Sequence, residues 1–389
     1  MDLATTSRGR RRPVHHASGR RRWPKRLIIG IFILIVLVLI AGLGGWLYVN
    51  SVLGSISRFQ VSTVTPETSG APIDILLVGS DSRAFVSNPG QAAAFGNPLT
   101  QTGQRSDVII VMRLVPKTRQ IEMLSIPRDT YVPIPGTGGS NRINAAFNTG
   151  PSVLVKTIQQ DFAIPVNHVV VANFPGFSGM VNSLGGISLD FAYPLRDPYS
   201  GLDVTTLGCH TINGTTALAL VRSRHLYYFK DGSWQYDGMS DWSRIQRQQA
   251  FFHAVINKAA GEFPNVLGMN SFLRATAQDL KVDSGFTSHE MISLGWRFRS
   301  ISSSSLETEV LPTYGTSIGG SDVLIAAQPY ARQTIAKFLA FGSTPRSTST
   351  GTTSAATTQP SVPSSTAPAG QVVFDNPHSL PEPWNPKSC

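Results

Sequence analysis

The sequence predicts one layered α/β domain, a central mixed β-sheet covered by helices, preceded by a single membrane-spanning helix. Three observations carry that expectation. An uncharged apolar stretch of 23 residues, 27–49, follows a strongly basic amino-terminal segment. Between residues 73 and 342, short β-branched runs alternate with longer segments of helical periodicity. Beyond residue 342 the composition changes abruptly to Ser, Thr, Pro, Ala and Gly.

Residues 1–26 hold nine Arg and Lys against one acid, Asp2, and so account for eight of the chain's ten formal positive charges. The remainder of the chain is only weakly basic, which does not mark the main domain as a nucleic-acid binder. A 23-residue helix over 27–49 spans about 35 Å, enough to cross a bilayer. Trp23, Trp46 and Tyr48 fall where the two interfaces would lie, and the basic excess precedes the span. The positive-inside rule therefore predicts a cytosolic tail over 1–26 and an extracytoplasmic chain beyond the span. A cleaved signal peptide fits less well, because the apolar run is too long and no A-x-A site follows it. The polar, turn-rich residues 50–72 read as a stalk.

Within 73–342, strands are expected at Ile73–Gly79, Val108–Val115, Gln120–Ile126 and His168–Asn173, with a hairpin over 107–126 turning at Pro116 and Lys117. Helices are expected at Ser152–Phe162, Gly176–Leu184, Asn213–Val221, Asp241–Glu262 and Ser288–Arg299. Asp241 reads as an N-cap, and Pro264 follows the end of its helix. The segment 343–371 lacks the apolar content to offset its chain entropy and is expected to be disordered. Residues 372–389 regain Val372, Val373, Phe374 and Trp384 and form a separate C-terminal segment able to dock back. The two cysteines, Cys209 and Cys389, either pair or remain unrelated thiols.

Arg and Asp recur at the ends of the expected elements, where α/β proteins place ligands. Strand Ile73–Gly79 runs into Ser80, Asp81, Ser82 and Arg83. Arg105, Ser106 and Asp107 precede the next strand, Arg128 and Asp129 follow the third, Arg222 and Arg224 end a helix, and Arg244, Arg247 and Gln248 open another. Arg222 and Arg224, read as strand-like, would face one side. Arg244, Arg247 and Gln248 lie at helical spacings that share a face. Guanidinium forks match phosphate oxygens, and seven of them exceed what one carboxylate needs; they suit a ligand with two phosphates. Asp81 and Asp107 are hard oxygen donors of the kind Mg²⁺ or Mn²⁺ takes beside a phosphate. For any single Arg–Asp pair, a surface ion pair is the commoner reading. The recurrence at element ends is what points to one site. G-x-S-x-G, H-E-x-x-H and P-loop signatures do not occur.

In order along the chain, GSDSR, RSD, SIPRD, RINAAF, NFPGF, LGGI, ALALVRSRH and SRIQRQQ resemble the LytR-CpsA-Psr family of cell-wall glycopolymer ligases, of the actinobacterial type, over about residues 73–260. The resemblance implies a phosphotransferase that moves a glycopolymer from a polyprenyl-pyrophosphate carrier to a peptidoglycan hydroxyl, the muramic acid C6 hydroxyl being the expected acceptor. It places Asp81, Arg83, Arg105, Arg128 and Arg244 in catalysis. Arg83, Arg105, Arg128, Arg222, Arg224, Arg244, Arg247 and Gln248 would surround the pyrophosphate, and Asp81 and Asp107 would hold the Mg²⁺. It also implies an apolar tunnel for the lipid, with Val153, Leu154, Ile158, Phe162, Phe174, Phe177 and Phe251 as candidate linings, though ordinary core is the commoner role of each such residue.

The chain departs from the compact family pattern at 84–104 and at 225–243. The second stretch holds Tyr227, Tyr228, Phe229, Trp234, Tyr236 and Trp242, either a sugar-stacking platform or a self-packed loop. His225 could reach the site or be structural. Two other functions fit the same residues: a pyrophosphatase acting on the lipid, and a non-catalytic receptor that only holds it.

Overall fold

The computed structural model describes residues 40, 42–80, 106–262, 266–301, 303–342 and 382–389. It divides into two units, 1–49 and 50–389. In the first, residues 42–49 are helical. Most of the expected span 27–49, the whole of 1–26 and the expected linker 343–371 lie outside the described residues. Among the described residues, no helix is long and apolar enough to cross a membrane.

The second unit is a mixed α/β fold. Its strands begin with β1 (Ser57–Phe59), β2 (Ile73–Ser80), β3 (Ser106–Val115), β4 (Gln120–Ser125), β5 (Tyr131–Ile134) and β6 (Gly139–Arg142). Helices α1 (Asn144–Thr149) and α2 (Pro151–Phe162) lead to β7 (His168–Ala172) and α3 (Phe174–Ser183). Then come β8 (Ile187–Phe191), β9 (Leu195–Asp197), β10 (Leu202–Val204), β11 (Gly208–Ile212), α4 (Gly214–Arg222), β12 (Tyr227–Lys230), β13 (Ser233–Tyr236) and α5 (Ser240–Glu262). The chain continues through α6 (Val266–Asp279), β14 (Leu280–Asp283), α7 (Ser288–Phe298), β15 (Leu306–Val310), β16 (Thr313–Ile318), β17 (Ser321–Ala326) and α8 (Tyr330–Ala340) to β18 (Lys387–Ser388).

Seven strands form the central sheet in the order β1-β14-β7-β2-β3-β4-β15. The pairs β1/β14, β7/β2 and β4/β15 are parallel and the other three antiparallel, so the sheet is mixed. The hairpin β3–β4 turns at 116–119, because Pro116 cannot donate to the ladder. Side chains of β2 alternate between faces. Leu76 and Val78 pack with Leu154, Ile158 and Phe162 of α2 in one core. Leu77 and Gly79 face the other side, toward α3, α4 and α5.

The stalk expected over 50–72 is instead part of the domain. β1 joins the edge of the sheet beside β14, the Thr65 amide donates to Val166 O (2.7 Å), and Gln159 donates to Thr63 O. Its polar composition hid a segment that is held by backbone pairing and by a few buried apolar side chains, Leu53, Ile56 and Val61 among them.

Asn213 caps α4 by accepting from the Thr216 amide (2.9 Å). Gly214 follows because a Cβ there would come within 2.1 Å of Ser178 O on α3. The Asn-Gly-Thr sequence is thus a helix start packed tightly on its neighbour.

Residues 382–389 also belong to this unit. β18 pairs antiparallel with β8, and a Cys209–Cys389 disulfide closes the segment onto β11. Trp384 stacks on Tyr228, with centroids 4.4 Å apart and planes within 3°. The buried Asn385 side chain reaches Ser243, Gln246 and Arg247 of α5.

Candidate active site

The parallel strands β2 and β7 end side by side, with Gly79 opposite Ala172. Between this end of the sheet and α3, α4 and α5 lies an apolar cavity of about 230 Å³. Its walls include Leu77, Val170, Phe177, Met180, Leu218, Phe251, Phe252 and Leu280. Phe174, Phe177 and Phe251, named from the sequence, do line it. Val153, Leu154, Ile158 and Phe162 do not: α2 packs on the opposite face of the sheet, so these are core or packed against it. The mouth of the cavity is polar, formed by Asp107, Asn173, Arg222, Arg244 and Gln248.

That mouth continues into a second cavity of about 180 Å³, lined by Asp107, Arg128, Asp197, Tyr199, Ser200, Arg222, Arg224, His225 and Arg244. Asp107, Arg222 and Arg244 belong to both. Four arginines from three places in the sequence therefore meet around one polar bowl that opens into an apolar tube. Arg222 ends α4 instead of lying on a strand, and Ser223 turns the chain so that Arg224 reaches the same bowl.

Carboxylates that the sequence did not single out as ligands of arginine hold this cluster. Asp241 is not a cap; the helix starts one residue earlier. Its Oδ1 lies 2.8 Å from Arg244 Nη2 and 3.1 Å from Arg224 Nε. Asp129 Oδ2 lies 3.5 Å from Arg224 Nη2 and 3.6 Å from Arg128 Nε. Arg128 also donates to Asp107. The buried Asp197 shapes the turn between α4 and β12. Its Oδ2 accepts from Ser223 Oγ (2.7 Å) and the Arg224 and His225 amides (both 3.0 Å), while Oδ1 accepts from the Tyr199 and Ser200 amides. Burial works against its charge, but these bonds outweigh it and hold its pKa below the ordinary carboxylate value.

Burial, together with the neighbouring Arg128 and Arg224, lowers the pKa of Arg244, which Asp241 and Asp107 only partly offset. Its Nε–H has no hydrogen-bond acceptor among the described residues. A guanidinium so placed gains from an added anion, as a phosphate oxygen would supply both acceptor and charge.

Arg247 departs from expectation. It is fully buried and lines neither cavity. Its Nη1 donates to Asn385 Oδ1 (2.7 Å) and Ser243 Oγ (2.9 Å) and pairs with Asp237 at 3.3 Å, and its Nη2 donates to Ser223 O (2.6 Å). With both terminal nitrogens bonded within the protein and no part of it lining either cavity, it positions the bowl from behind. Burial lowers its pKa to about 10, so it stays charged at neutral pH. Gln248 does line the apolar cavity and donates to Val221 O (3.0 Å). Asp81, Arg83 and Arg105 lie outside the described residues.

The aromatic stretch 225–243 is mostly a small sheet packed on itself. Arg196 covers Trp234 at 4.0 Å and Tyr227 meets Tyr236 at 5.3 Å; neither Trp234 nor Tyr236 lines the apolar cavity or the bowl. Tyr199 does line the bowl, 79% exposed in the turn between β9 and β10, with His225 against it at 4.6 Å. A lone Tyr in a Pro-Tyr-Ser-Gly turn gave no sequence signal.

The fold and site thus define an α/β protein built around an arginine-lined bowl that opens into an apolar pocket. The chain belongs to the LytR_cpsA_psr family, whose family model matches residues 52–338. It is 32% identical over 205 residues to the probable cell wall biosynthesis protein LcpB of Corynebacterium glutamicum, covering 52% of this chain but only 46% of that protein. It is 28% identical over 278 residues to TagU of Enterococcus faecalis, a polyisoprenyl-teichoic acid–peptidoglycan teichoic acid transferase, covering 70% of this chain and 82% of that one. The solved structure of a LytR-Csp2A-Psr enzyme from Actinomyces oris shares the fold, with a TM-score of 0.59 at 24% identity over 73% of this chain and 95% of its own.

Proposed function

We propose that this protein is a membrane-anchored extracytoplasmic transferase that moves a glycopolymer from a polyprenyl-pyrophosphate carrier to a peptidoglycan hydroxyl, the muramic acid C6 hydroxyl being the expected acceptor. The observation that carries the reading is the continuity of an apolar cavity with a four-arginine bowl. Such a slot matches a molecule that is hydrocarbon at one end and diphosphate next to it. The named activity of the similar TagU supports the same chemistry.

In this reading the prenyl tail lies among Leu77, Phe177, Met180 and Phe251. Arg222 and Arg244, shared by both cavities, hold the phosphate next to the tail, and Arg128 and Arg224 hold the distal one. The arginine charge builds up where the leaving phosphate gains charge, which is how phosphoryl transfer is accelerated. The acceptor oxygen attacks the distal phosphorus, the phosphoanhydride bond breaks, and polyprenyl phosphate leaves. Asp81, which follows β2 directly after Ser80, is the candidate acceptor of the hydroxyl proton. The sugar must leave the bowl away from the tail cavity, past Tyr199 and His225.

For a divalent ion, the donor chemistry fits on the Asp107 side. This carboxylate lines both cavities, and the buried Ser106 Oγ beside it has no hydrogen-bond partner among the described residues. Asp107 and Asp81 would hold Mg²⁺ or Mn²⁺, which when bound would offset charge on the phosphate oxygens.

The test is transfer of a lipid-linked polymer to peptidoglycan by the purified chain. Arg244→Ala and Arg224→Ala should each lower turnover by at least about 100-fold with little change in thermal stability. Full activity of folded Arg244→Ala would reject the assignment.

A further inference from the structure

A second group of ligating side chains lies apart from the bowl, and its argument does not depend on the proposed activity. His168 opens β7, Glu67 lies in the segment before β2, and Glu290 is in the first turn of α7. One donor atom from each lies within 4.8 Å of the others. Among the described residues, this is where three such donors converge.

The histidine is held for that role. Its side chain is only 7% exposed, and its ring stacks on Phe286 with centroids 4.4 Å apart. Nδ1 faces Asp283 Oδ2 at 3.2 Å. Asp283 is saturated by other donors: Oδ2 also accepts from the Val169 amide (2.9 Å), and Oδ1 from the Gly285 and Phe286 amides (2.9 and 3.1 Å). It can only accept, so Nδ1 carries the proton and Nε2 is aimed at the two glutamates. A carboxylate that fixes the tautomer of an imidazole in this way is the usual partner of a metal-binding histidine.

The other side of the ring needs a positive charge. Nε2 lies 2.8 Å from Glu67 Oε1 and 3.6 Å from Glu290 Oε1. A neutral imidazole would turn a lone pair toward two carboxylates. A proton on Nε2, donated to Glu67 Oε1, would answer part of this. Yet three carboxyl groups would still crowd one imidazolium in a half-buried place. The guanidinium of Arg58, nearby on β1, is turned to Phe286 O and Ser288 Oγ instead. Glu290 keeps Oε1 for the cluster because its Oε2 accepts from the Thr287 amide in the capping box.

We propose that Glu67, His168 and Glu290 bind a divalent transition-metal cation of the zinc type, with Asp283 orienting the histidine. One borderline imidazole nitrogen and two hard carboxylate oxygens form a mixed set that zinc accepts, with water completing a tetrahedron after the ligands close to about 2.0–2.2 Å. The ion ties the segment before β2, β7 and α7 together at the β1 edge of the sheet, directly where the domain begins. Its role is structural, remote from the bowl.

The test uses the full, untagged chain in detergent micelles, stripped with EDTA and then loaded with zinc chloride. Bound zinc is counted by mass spectrometry, affinity is measured by calorimetry, and the thermal midpoint is recorded. Wild type and Asp107→Asn should retain one equivalent that Glu67→Gln and Glu67→Gln/Glu290→Gln lose. Zinc at a hundredfold above its Kd should raise the midpoint of the wild type by about 5 °C and leave that of the double variant unchanged. Both glutamates are partly exposed, so the metal-free variants should melt with the metal-free wild type. Cobalt added to the stripped wild type should give visible ligand-field bands that Glu67→Gln abolishes. Equal zinc retention by wild type and Glu67→Gln, or none by the wild type, would overturn the proposal and leave an ion-paired histidinium.

Discussion

Asn385→Ala is the substitution that best probes how the bowl is built. The side chain is 2% exposed and sits 138 residues from its partner Arg247 in sequence. Its Oδ1 accepts from Arg247 Nη1 at 2.7 Å; its Nδ2 donates to Ser243 Oγ and Gln246 Oε1, both at 2.8 Å. Losing an acceptor for a buried cation costs about 1.5–3 kcal/mol, and the stranded Ser243 and Gln246 add to that. Arg247 retains Asp237 and Ser223 O, so the total should be about 3 kcal/mol. That corresponds to a fall in the thermal midpoint of about 5 °C. The assay is thermal unfolding of the full chain, followed by tryptophan fluorescence. A double-mutant cycle sharpens it. Removing the Cys209–Cys389 bond, which spans 180 residues, costs about 5 kcal/mol in the chain-entropy model. If 382–389 docks as a unit, Asn385→Ala should cost much less in the Cys209→Ser/Cys389→Ser background. A cost below about 1 kcal/mol in the native background, or strict additivity within about 0.5 kcal/mol, would refute the reasoning.

Three further outcomes are expected. Asp241→Asn keeps the volume but removes the charge between Arg224 and Arg244; kcat should fall about tenfold or more, and unchanged kinetics would exclude a positioning role. Tyr199→Ala should weaken a sugar-bearing polyprenyl pyrophosphate several-fold yet leave the sugar-free lipid unaffected, as read by calorimetry; equal loss for both would place the sugar elsewhere. Glu122 is fully buried with neither carboxylate oxygen hydrogen-bonded among the described residues. Burial first, and then Glu309, raise its pKa to about 7. A raised folded-state carboxylate pKa means the native state binds the proton more tightly than the unfolded state. Stability should therefore fall as pH rises from about 4.5 to 7, by at most about 3 kcal/mol. Glu122→Gln should remove that slope and raise the midpoint at pH 8; an unchanged pH profile would contradict it.

The sheet was largely legible in the sequence because β2, β3 and β7 carry β-branched runs, and Pro116 marks the hairpin that leads into β4. β1 was not, since Ser57-Arg58-Phe59 is three residues long and held by backbone pairing. Arg222, Arg224, Arg244, Arg128 and Asp107 could be gathered because chain order at element ends survives folding. Arg247 was misplaced for a physical reason. One helical position separates it from Gln248, about 100° around the axis, and its direction is decided by Asp237 and Asn385, which no local pattern links to it. Tyr199 stayed hidden because its place depends on Asp197 fixing two turns at once.

The closure of 382–389 over α5 also has a temporal side. The ribosome delivers Asn385 after 138 further residues, roughly 7–28 s later at about 5–20 residues per second. Through that interval, Arg247 has Asp237, Ser243 and Ser223 O but lacks Asn385, so the start of α5 is held less firmly. The bowl is therefore among the last parts of the molecule to mature. Emerging chains should carry an unfinished arginine cluster, with low affinity for its anion, until the strap arrives and the cysteines join.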